Sequence, residues 1–142
     1  MATKSDFTEQ EWDTLHKGVT GAGLLVSTSD RGFFDTLKEA GALAKHLGEA
    51  RKDTSSELVR DLAQTGGTGF GLGTSPGELE QETLEALRSA TSILEQKAAD
   101  EVQPYRELVL EVADSVARAA GGGDAAESGA IEKVREALGN PS

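Results

Sequence analysis

The chain has no cysteine among its 142 residues, so disulfides, thiolate metal sites and cysteine nucleophiles are excluded, and thiol usage says nothing of compartment. It lacks a long apolar run. The longest uncharged stretch, "GVTGAGLLVSTS", is too short and too glycine-rich to span a bilayer, which needs about 20 apolar residues. The opening "MATKSDFTEQEW" lacks the apolar middle of a secretory signal, and the expectation is a cytoplasmic protein. Aromatics are scarce, with one Trp, one Tyr and four Phe. A concentrated basic patch is missing too. The 14 Lys and Arg are outnumbered by 25 Asp and Glu, and they are scattered beside acids, as in "IEKVREALG". Nucleic acid and anionic membrane surfaces are therefore poor partners. The net charge of −11 favours solubility and suits cations or basic partners.

What is present is a three- and four-residue recurrence of apolar side chains, the mark of amphipathic helices. In "DFTEQEW", Thr8 and Glu11 form a capping box, and Phe7 and Trp12 occupy the two positions of a hydrophobic staple. The face runs on through Leu15 and Val19. Gly18, Gly21 and Gly23 then cluster, and each glycine costs a helix about 1 kcal/mol against alanine. A break near Gly18 is expected, with a second helical piece through "AGLLVSTS"; the alternative is that the glycines let another helix approach closely. "SDRGFFDTLKEAGALAKHLGEA" spells another helix, faced by Phe33, Leu37, Ala40, Ala44 and Leu47. "DTSSELVRDLAQT" carries a Thr54–Glu57 box and apolar Leu58, Val59 and Leu62.

Ser75, Pro76 and Glu78 make a strong start for a helix whose core face is Leu79, Thr83, Leu87, Ala90 and Leu94, with Leu84 alongside. The pattern restarts at Pro104 and aligns Tyr105, Leu108, Val109, Val112 and Val116; a buried Tyr105 hydroxyl requires a partner. Asp124 and Glu127 box the last helix, faced by Ala130, Ile131, Val134 and Leu138, and Gly139, Asn140 and Pro141 stop it. These elements predict one all-α domain over 1–142, a compact bundle of six or seven helices. "GLLVSTSDRGFFDTLKEAGALAKHLG" and "DSVARAAGGGDAAESGAIEKVREALG" align without gaps, either as a duplicated hairpin or as the common grammar of helical hairpins. The glycine-rich segment 65–77 joins the two ends.

That segment, "TGGTGFGLGTSPGE" with its neighbour Glu78, tests the phosphate-binding hypothesis. It leads into a helix N-terminus, but a helix end precedes it, no lysine follows the glycines, and the dinucleotide spacing fails. A flexible connector is the expected reading. Phe70 and Leu72 within it suggest packing on the body or contact with a partner, and Trp12 is a third candidate partner contact, its other reading being the staple. Glu78, Glu82 and Glu85 share a helix face without converging, and Asp35 and Glu39 do the same. The two histidines, His16 and His46, belong to no Glu-x-x-His motif, and no "GxSxG" elbow occurs. No catalytic set and no cofactor is indicated.

The ends also carry a family resemblance. "ELVLEVADSVARAAGGGDAAESGAIEKVREALG" is similar to the terminal hairpin of tellurite-resistance TerB-like helical proteins, and the chain looks like uncharacterised bacterial proteins opening with an "FTxxEW" segment, here "FTEQEW". The resemblance implies an all-α fold, a cytoplasmic stress-related setting and divalent-cation binding by turn acids at Asp30, Asp124 and Glu127. Glycine and alanine in "AAGGGDAAES" depart from the richer acidic turn of that pattern. The preferred expectation is a non-catalytic module for protein–protein interaction or self-association. The alternatives are a TerB-like divalent-cation protein and a small-molecule-binding or enzymatic helical domain.

Overall fold

The computed structural model describes residues 4–27, 57–64, 75–119 and 125–139. Within them are five α-helices and no strand: α1 (Glu9–Ser27), α2 (Glu57–Gln64), α3 (Pro76–Lys97), α4 (Val102–Ala119) and α5 (Ala125–Ala137). They pack together as a compact all-α body. The expected helix over 29–50, the turns of both terminal hairpins and most of the glycine segment lie outside the described residues.

Local chemistry starts α1 and α3 where the pattern places them. The Thr8 hydroxyl accepts from the Glu11 amide at 3.1 Å, and the Glu11 carboxylate accepts from the Thr8 amide at 2.9 Å, closing the capping box of α1. The rings of Phe7 and Trp12 stand 6.3 Å apart, and both are buried in the core. A second complete box opens α3. The Ser75 hydroxyl accepts from the Glu78 amide at 3.2 Å, and Pro76 occupies the first turn, where a missing N–H costs nothing. Ser75, Pro76 and Gly77, the end of the 65–77 segment, thus belong to this cap and first turn.

The expected break in the first helix does not occur. α1 runs uninterrupted for 19 residues through Gly18, Gly21 and Gly23. Tertiary burial outweighs the propensity loss: from Gly18 to Val26 every residue of α1 is buried, Thr20 and the three glycines included. A helix buried on all faces is a central one, and α1 packs along α3 most extensively, then α4, then α5. Its direction opposes that of α3, since Glu11 meets Lys97 while the later Lys17 meets the earlier Glu82. Another correction concerns α4, which starts two residues ahead of Pro104. A short 3-10 turn, Ala99–Glu101, connects it to α3 and brings the chain about within a few residues. Pro104 is tolerated because the first turn of a helix has no internal acceptor for its N–H.

The predicted core faces are buried where described. Leu79, Thr83, Leu87, Ala90 and Leu94 of α3 are buried, as are Tyr105, Leu108, Val109, Val112 and Val116 of α4 and Leu58, Val59 and Leu62 of α2. Each such Leu or Val contributes about 1.5–3 kcal/mol through removal of apolar surface from water. Val134 of α5 and Leu138 just past its end are buried, while Ala130 and Ile131 are partly so. Gly139, at φ +72°, ends that helix in the left-handed conformation that glycine adopts without a Cβ penalty. No described helix is long and apolar enough to cross a membrane.

Candidate functional site

The interior polar group whose contacts join α1, α3 and α4 is the Tyr105 hydroxyl. Tyr105 is one turn into α4, on the stripe that faces α1, and it is fully buried. Its hydroxyl donates to the backbone carbonyl of Leu15 at 2.7 Å. The hydroxyl fits there because residue 18 has no side chain. A Cβ at Gly18 would lie 2.4 Å from the Tyr105 Oη and 3.0 Å from the Leu87 Cδ2. Gly18 is therefore a notch in α1, and Tyr105 fills it. Burial away from water pushes the phenol well above its ordinary value, so it remains a neutral donor.

Other polar groups of the interior are also turned inward. Thr20, buried, returns its hydroxyl to the His16 carbonyl at 3.1 Å, satisfying itself on its own helix. His16 and Glu101 are buried at 5% and 4% exposure. Thr83, on the core face of α3, is fully buried and its Oγ1 has no hydrogen-bond partner. Thr91, half-buried on the same helix, shows the usual solution: its hydroxyl donates to the Leu87 carbonyl at 2.8 Å.

Ion pairs fasten the rim. Lys17 meets Glu82 at 2.6 Å, Lys97 meets Glu11 at 2.6 Å, and Lys133 of α5 meets Glu80 of α3. The Lys97 ammonium, helped by the Thr8 amide, holds the Glu11 carboxyl below its ordinary range. Lys97 also lies 6.0 Å from the centre of the Phe7 ring. The glutamates that share one face of α3 are put to separate uses. Glu78 completes the cap, Glu82 pairs with Lys17, and Glu85 is exposed.

Of the sequence-derived candidates, only Trp12 has a described side chain. Trp12 lies in the core at 4% exposure, beside Phe7. Phe70, Leu72, Asp30 and Asp124 lie outside the described residues. Glu127 belongs to the first turn of α5, and its side chain is outside them as well. Among the described residues, no three His, Asp or Glu side chains stand close enough to hold a metal ion. His16 is buried and Asp13, three residues before it, is exposed. The residues that do come together, Gly18, Leu87, Tyr105 and the Leu15 carbonyl, were readable only in part: glycine inside a helical stripe signalled a close approach, and tyrosine on an apolar face signalled a buried hydroxyl. The partner of each had no signal.

Chemically, this cluster is a fastening. A phenol sealed from solvent and bonded to a backbone carbonyl meets no substrate. Comparison of the chain with family models, curated proteins and solved structures finds no match. The TerB-like resemblance therefore rests on the quoted terminal residues alone.

Proposed function

We propose that the chain is a non-catalytic helical module that acts by binding protein, a second copy of itself being one form of the partner. The observation that carries this reading is the division of its polar groups. Inside, the bonded hydroxyls of Tyr105 and Thr20 are spent on backbone carbonyls of α1. Outside, lysines are drawn into pairs that bridge helices, and a surplus of acid stays exposed: Asp13, Glu85, Glu95, Glu107 and Glu136 enter none of those pairs. Such a surface supports recognition through charge and shape rather than bond-making.

The exposed side chains of the described helices include no large apolar residue. Association of a different protein through them is electrostatic, with a basic surface as the complement, and it weakens as salt screens it over a Debye length of about 8–10 Å near physiological ionic strength; a second copy, equally acidic, does not supply that surface. The test is light scattering over a concentration series, joined to a pull-down from the native cell at low and high salt. The expected result is either a concentration-dependent oligomer or a captured protein that salt releases. A strict monomer at every concentration, together with an empty pull-down at low salt, overturns the proposal.

A further inference from the structure

We draw no further inference here: the strongest candidate, the unpartnered Thr83 hydroxyl on the core face of α3, carries no ligand site because Thr83 and its neighbours on that face, Leu87 and Ala90, are all 0% exposed, which leaves no accessible space at the hydroxyl for a bound molecule.

Discussion

Replacing Gly18 with alanine sets two effects against each other, and the structure decides which wins. Alanine in a helix interior is worth about 1 kcal/mol over glycine, so on propensity alone the change stabilises. The new methyl would, however, stand 2.4 Å from the Tyr105 Oη, a distance real atoms do not tolerate. The hydroxyl must leave its bond to Leu15, and it has nowhere wet to go. Losing that bond inside the core costs about 1–3 kcal/mol, and the overpacking adds roughly 1–3 kcal/mol. Gly18→Ala is therefore expected to destabilise by about 1–5 kcal/mol net of the propensity gain.

Tyr105→Phe removes the colliding atom. Alone it should cost about 1 kcal/mol, because the Leu15 carbonyl keeps its place in the α1 ladder and is not orphaned. In that background the ring atoms lie at least 3.6 Å from the methyl introduced by Gly18→Ala, which is ordinary contact, and only the Leu87 methyl at 3.0 Å must yield slightly. Gly18→Ala should then be close to neutral. Denaturant melts followed by the fluorescence of the single tryptophan, buried Trp12, measure all four corners of this cycle. A coupling of about 1–5 kcal/mol is expected, or a midpoint difference on the order of 10 °C. Equal costs of Gly18→Ala in both backgrounds, or a stabilising Gly18→Ala in the parent, would refute the notch.

Tyr105 is the sole tyrosine, so its phenolate absorbance reports one site. Its folded pKa is raised above an ordinary value near 10; the stability it adds is complete below pH 10 and is lost as pH climbs beyond it. Phenolate should appear only as the chain unfolds, and Tyr105→Phe should flatten the alkaline decline in stability; smooth ionisation in the folded protein near pH 10 would contradict the buried placement. Thr83→Val keeps the shape and removes an unpartnered buried hydroxyl, so a gain of about 1 kcal/mol in urea melts is expected; a loss of that size would mean the hydroxyl is bonded. Ser75→Ala deletes the cap of α3 and should cost about 1 kcal/mol, with Ser75→Gly costing only a few tenths; equal effects of the two in thermal melts would count against the cap.

Among the described residues, helix positions and their buried faces were legible where a start signal and a periodic stripe agreed, as in α1 and α3. Thr8 with Glu11 and Ser75 with Glu78 act within one turn of chain, so their chemistry is complete in the local sequence. The stripe from Leu79 to Leu94 is a property of helical pitch and is likewise local. The reading failed at Gly18, where a propensity argument predicted a break that the helix does not have. It also failed at Pro104, taken as a restart although α4 already runs ahead of it. Of the interior cluster, Tyr105 was legible as a hydroxyl in need of a partner. Its acceptor lies 90 residues away in sequence, beyond the range of any local rule.

Short-range regularities alone thus dictated that this chain is helical, where the capped helices start and which side of each is oily, because caps and pitch act over three or four residues. Only the packed structure decided that three glycines stay inside one unbroken central helix and that a tyrosine from α4 occupies the gap at one of them. That choice depends on surface buried between distant segments, whose combined free energy exceeds a preference of about 1 kcal/mol per residue.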